Sequence, residues 1–198
     1  MKQFGPPVIP PIDEAAKGSL LNAKWEVTKD VGEHARRGLY MVSRRSLPLP
    51  LVWTFNRGLP VESCALREST IVPGQALALL NDPKVVELAR TMAGRLLRET
   101  MAADRDDRQL GAADAIPTDR LIARAWLIVL ARPATADEKA HATKFLAQRE
   151  TALADPKRTK RLTPLGLPPE LNVSPERAAA IVELCLALLN SNEFWFVD

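Results

Sequence analysis

Apolar residues recur at helical spacing in the second half of the chain. Val85, Leu88, Ala89, Met92, Ala93, Leu96 and Leu97 form one stripe, opposite a face of Lys, Glu and Arg, and predict a helix from about Pro83 to Thr100. Ile122, Ala125, Trp126, Val129 and Leu130 form a second, at i, i+3, i+4, i+7 and i+8, in a helix begun by Thr118 and ended before Pro133. Ile181, Leu184, Cys185, Leu188 and Leu189 repeat that pattern, with Val182 and Leu186 filling its flanks. A helix apolar over so wide an arc, about Pro175 to Asn190, is buried on more than one side and central to the core. Ala142, Phe145 and Leu146 give the inward face of another, from Ala136 to about Leu153.

Start and stop signals agree with these stripes. Pro73 suits the first turn of a short helix over Gly74 to Leu80, and Asn81-Asp82-Pro83 stops it and caps the next. Thr135 followed by Glu138 matches a capping box, in which each side chain satisfies an orphan backbone donor of the first turn. Ser174 and Pro175 supply the cap and first-turn pair of the last helix. Residues 101–117, rich in Asp, Arg, Gly and Ala, read as a flexible crossing loop, and 154–173 as a basic, proline-containing one.

The first half is less regular. Residues 1–12 carry Pro6, Pro7, Pro10 and Pro11, which fix φ and exclude a helix, so they form an extended arm that frays in isolation. Residues 13–22 suit a short helix. The run Arg36 to Arg45, RRGLYMVSRR, sets an apolar centre between two arginine pairs and reads as a buried middle with solvated ends. Leu47 to Pro60 is irregular by its prolines, yet Trp53 and Phe55 should fold back onto the core. The expected fold is mainly α: an irregular helical domain over 13–198 with proline-rich loops, preceded by the extended N-terminal arm of 1–12.

Composition narrows the class. With 46% hydrophobic and 26% charged residues the chain is neither disordered nor a membrane protein by type, and no stretch reaches the roughly 20 apolar residues of a bilayer span. The opening MKQFGPPVIPPID lacks the apolar core of a signal peptide, so the chain by itself reads as cytoplasmic. The net charge of +3 is a mild bias, without the dense basic stripe and interleaved aromatics that nucleic-acid binding calls for.

Catalytic signatures are sparse: the chain has no GxSxG elbow, phosphate-binding glycine loop, HExxH or CxxCH. With His34 and His141 as the only histidines, no metal site is assigned. Cys64 and Cys185 stand 121 positions apart, unlike a zinc-ligand pair; Cys185 lies on an apolar helix face, and Cys64, near Arg67, is better read as an inert core thiol than as a reactive thiolate. Polar residues gather around the short helix after Pro73, where free backbone donors at a helix start attract anions. From these and the preceding arginine pair, Arg44, Arg45, Arg67, Gln75 and Asn81 are the candidate ligand-binding set; helix capping is the competing use of the same groups.

The runs RRGLYMVSRRSLPLPLVWTFNR, SCALREST, PGQALALLND, LIARAWLIVLARPATADEK and LCLALLNSNEFWFVD, in that order, resemble a planctomycete-specific domain of unknown function. The resemblance covers about Pro6 to Asp198. It departs from the family pattern at Asn56, where aspartate is usual, at Leu66, where a basic residue is usual, and over Gly58 to Glu62. Such domains close long secreted or cell-envelope proteins that carry a second uncharacterised domain and often a planctomycete-type cytochrome c domain. The resemblance therefore implies a C-terminal fragment whose partners are upstream domains of the parent protein, a secreted or periplasmic setting, and no cofactor in this chain, any haem belonging upstream. Two functions stay open: a non-catalytic structural or interaction module, and part of an enzyme acting on polysaccharide or redox substrates whose site an upstream domain completes.

Overall fold

The computed structural model describes residues 8–9, 26–36, 40–42, 55, 73–107, 117–155, 162–167 and 173–195. By contacts the chain divides into two units, Met1–Gln75 and Ala76–Asp198. The described residues are mainly helical: α1 (Pro73–Asn81), α2 (Pro83–Asp107), α3 (Thr118–Leu130), α4 (Ala136–Leu153), α5 (Pro175–Leu189) and α6 (Asn192–Trp195).

In the first unit, Val8 of the proline-rich arm forms a parallel bridge with Met41. Val8 N–H donates to Tyr40 O at 2.8 Å, Val8 O accepts from Val42 N–H at 2.8 Å, and Ile9 exchanges bonds with Thr28. Val8 is 1% exposed. Val8 and Ile9, the described residues of the arm, are tied down where a fraying end was expected. Two backbone bonds and a buried valine outweigh the absence of helix. Further on, Asp30 Oδ1 accepts from Gly32 N–H at 2.9 Å and caps a 3-10 helix, Val31–Ala35. The arginine-flanked run also differs from its expected pattern. Arg36 is buried, 2.6 Å from Glu33 and with its guanidinium 5.5 Å from the Tyr40 ring centre, while Tyr40, Met41 and Val42 are half-buried. An acidic partner and an aromatic face let the charge go inside. The helix expected at 13–22, Trp53 and Cys64 lie outside the described residues.

In the second unit, α5 is the hub. Five consecutive residues, Ala178 to Val182, are buried, which a helix achieves only when neighbours cover it from several sides. α5 packs on α2 and α4, and more lightly on α3 and α6; α3 bridges α2 and α4. Leu96 and Leu97 of α2, Leu121 and Ile122 of α3, Leu146 and Leu153 of α4, and Ile181 and Leu184 of α5 form one core. The start signals are realised: Asp82 Oδ1 accepts from Lys84 and Val85 N–H, Thr135 and Glu138 form the full capping box, and Ser174 Oγ accepts from Arg177 N–H at 3.2 Å.

Two local expectations are corrected. α2 runs to Asp107, seven residues past Thr100, because 101–107 contain no glycine or proline and charge alone does not end a helix. Leu88 is 61% exposed. The buried positions Val85, Ala89, Ala93, Leu96, Leu97 and Thr100 define a face from which Leu88 stands roughly 100° away at 3.6 residues per turn. At the C-terminus Phe194 and Trp195 form the short α6, both partly exposed, with the Trp195 indole donating to Leu189 O at 2.6 Å and so tying the tail to the end of α5.

The loop before α5 crosses α2. Residues 162–167 lie over the face bearing Arg90, Gly94 and Arg98, one turn apart from each other. Leu165 N–H donates to Arg90 O at 3.0 Å, Arg90 Nε donates to Thr163 O at 2.6 Å, and Arg98 donates to Gly166 O. A Cβ at Gly94 would overlap the Leu165 carbonyl oxygen and stand 3.0 Å from its carbon, so the missing side chain is what admits the strap. Gly166 takes φ +66°, the left-handed region, as the strap turns away.

Candidate functional site

Of the five residues singled out in the sequence, two are described. Asn81 closes α1 and is exposed; its Nδ2 donates to Leu77 O at 2.8 Å, one turn back in the same helix. Gln75 lies in the first turn of the same helix and is 8% exposed. Arg44, Arg45 and Arg67 lie outside the described residues.

α1 itself has inverted patterning. Its nine residues, PGQALALLN, include no charge, and it buries Gln75 with Leu79 while leaving Leu77 63% and Leu80 46% exposed. These two leucines are three apart and share one side of the helix.

Among the described residues, a dense polar cluster sits where α3 meets α4. Ala131 ends α3 in the left-handed conformation, φ 54°, and Pro133 prevents the helix from continuing. Arg132 between them projects across the corner. Its Nη1 and Nη2 donate to both Glu138 oxygens at 2.9 and 2.7 Å, and Nη2 also donates to Glu193 of α6 at 2.7 Å. The Arg132 guanidinium, aided by the Thr135 backbone N–H, holds the Glu138 carboxyl well below the usual carboxylate range. Arg132 lowers Glu193 too, and is itself held protonated beyond its ordinary range by the two acids. The buried Trp126 indole N–H faces Glu138 without reaching hydrogen-bond geometry.

The other inter-helix charges are arranged alike. Arg124 of α3 donates to Glu99 of α2 at 2.6 Å, and Arg149 of α4 donates to Glu183 of α5 at 2.7 Å. Arg177 of α5 binds Glu150 of α4 and the Thr118 hydroxyl at the start of α3. Arg95, then Arg124, lower the Glu99 carboxyl, and Glu183 raises Arg149. Such groups fix the spacing of helices, and each guanidinium already has its carboxylate.

The remaining reactive types serve the backbone or the core. His34 Nε2 donates to Thr28 O at 2.8 Å and His141 Nδ1 to Asp137 O at 2.7 Å, since a nitrogen facing a carbonyl must carry the proton. Burial pushes the Cys185 thiol up to about 12, so it is not a thiolate at neutral pH. Among the described residues there is no cluster of three or more His, Cys, Asp or Glu placed to hold a metal ion, and no helix long and apolar enough to cross a membrane.

The Arg132 corner and the Arg90-Gly94-Arg98 face both escaped the sequence reading. Glu193 lies 61 positions from Arg132, beyond any local pattern. Gly94 inside a helical stripe was a usable signal, because an interior glycine weakens a helix unless something packs on it.

The sequence profile of a family described as "Protein of unknown function (DUF1553)" matches residues 1–146. No curated protein and no solved structure matches the chain significantly.

Proposed function

The chain belongs to the DUF1553 family of proteins of unknown function, and we propose that it serves as a non-catalytic structural or interaction module of a larger bacterial cell-envelope protein. The observation that carries this reading is the inverted patterning of α1: a helix without charge that turns Leu77 and Leu80 to solvent while burying Gln75. Neighbouring exposed leucines on one helix face suit a covering partner, because removing such side chains from water is favourable by about 1.5–3 kcal/mol each when complete. The inter-helix arginines support the same reading, since Arg124, Arg132, Arg149 and Arg177 are committed to holding the helices together.

The resemblance to the planctomycete domain supplies the partner: an upstream domain of the same polypeptide, in a secreted or periplasmic setting, with any haem held in that upstream part. The test is site-specific crosslinking in the full-length parent protein. A photo-reactive side chain at Leu77 should join this helix to the upstream domain, whereas the same group at exposed Lys139 on α4 should not. Equal capture at both positions, or none at 77, would overturn the proposal.

A further inference from the structure

The strap of residues 162–167 differs from everything else packed on α2. None of its six residues is buried; all are half-buried or exposed, although Leu162 and Leu167 touch the core edge. Its hold on the helix is through backbone atoms and solvent-accessible guanidinium groups: Leu165 N–H to Arg90 O, Arg90 to Thr163 O and its hydroxyl, and Arg98 to Gly166 O. Hydrogen bonds made in reach of water return little net free energy, while ordering six residues opposes them at every position. With Leu162 and Leu167 at the core edge, the closed strap is left only a few kcal/mol below the open one. α5 is held by the opposite means, with Ala178 to Val182 all buried.

We infer that the strap is a latch that opens and closes on α2 while the helical core stays folded. Gly94 is its seat, because only a position without Cβ lets the Leu165 carbonyl come down onto the helix. Arg90 and Arg98, one turn to either side of that seat, are the two fasteners, and both grip main-chain carbonyls. Opening therefore bares a glycine-floored strip of α2 flanked by two released guanidinium groups. The inference is independent of the role given to α1, which lies elsewhere on the chain.

Amide exchange of the intact protein, followed residue by residue by NMR, tests this. Leu165 N–H should exchange at least about 100-fold faster than Val182 and Leu184 N–H in α5, as a sub-global opening does. In the Arg90→Ala/Arg98→Ala double variant, Leu165 exchange should accelerate by about tenfold or more, while the α5 amides accelerate by no more than that factor and stay far slower than Leu165, which verifies that the variant is folded. Exchange of Leu165 at the rate of the α5 amides would show that the strap opens only with the whole domain. An unchanged Leu165 rate in the double variant would show that the arginines do not fasten it. Either result overturns the latch.

Discussion

Replacing Gly94 by alanine separates the packing account of α2 from a propensity account, because the two predict opposite signs. On propensity alone, glycine to alanine inside a helix stabilises by about 1 kcal/mol. At Gly94 the added methyl would overlap the Leu165 carbonyl oxygen, and the obstacle is backbone rather than a pliant side-chain end. The strap must lift, which breaks the 3.0 Å bond from Leu165 N–H to Arg90 O and strains those from Arg90 and Arg98. Losing the amide bond costs about 1 kcal/mol, and the exposed arginine bonds add less each. Pulling the half-buried Leu162 and Leu167 from the core edge adds about 1–2 kcal/mol. Set against the helical gain, the net is a loss of about 1–3 kcal/mol, limited above by the free energy that closes the strap. Urea unfolding followed by helical circular dichroism measures it, read as a lower midpoint at unchanged slope. A Gly94→Ala protein more stable than the parent, with Leu165 still protected, would refute the reasoning.

Leu184→Ala or Leu188→Ala should each cost about 2–5 kcal/mol in the same assay, because both side chains are buried in the hub helix. The Arg132 corner should be acid-sensitive. Glu138 is held low in the folded state, so its contribution is complete above about pH 5 and is lost as pH falls through and below the ordinary carboxylate range. Its side chain is 29% exposed, so Glu138→Gln should cost only about 1 kcal/mol at pH 7 and should flatten the fall in stability below pH 5. Cys185 should resist thiol reagents at pH 8 in the native protein and react once urea unfolds it, since burial holds the thiol at about 12.

What was readable in the sequence was local. Caps at Asp82, Thr135 and Ser174 could be placed because the bond runs from a side chain to a backbone group two or three residues away. The five-point stripe of α5 revealed a hub because residues on almost every side of it are apolar. Leu88 shows the limit: a residue three after buried Val85 and four before half-buried Met92 fits a stripe on paper, yet only neighbours decide where the face is centred. The end of α2 was missed for want of a stop signal at 101–107. Long-range features were illegible for a plainer reason: Arg132 and Glu193, or Gly94 and Leu165, meet only after the chain has folded back, and nothing local marks the partner. For the candidate site, Asn81 could be read either as ligand or as cap, and its side chain donates back to Leu77 O within its own helix. Gln75, a ligand candidate in the same set, is buried. Helix pattern alone could not reveal that α1 turns its leucines outward.

The central claim, that α1 presents a docking face to an upstream domain, is tested most directly by calorimetric titration of this chain with the separately produced upstream part of its parent protein. The account predicts binding with a negative heat-capacity change, abolished by Leu77→Asp/Leu80→Asp while the urea midpoint stays within about 0.5 kcal/mol of the parent, as exposed positions allow. Absence of binding by the unaltered chain, or binding indifferent to two aspartates at positions 77 and 80, would contradict it.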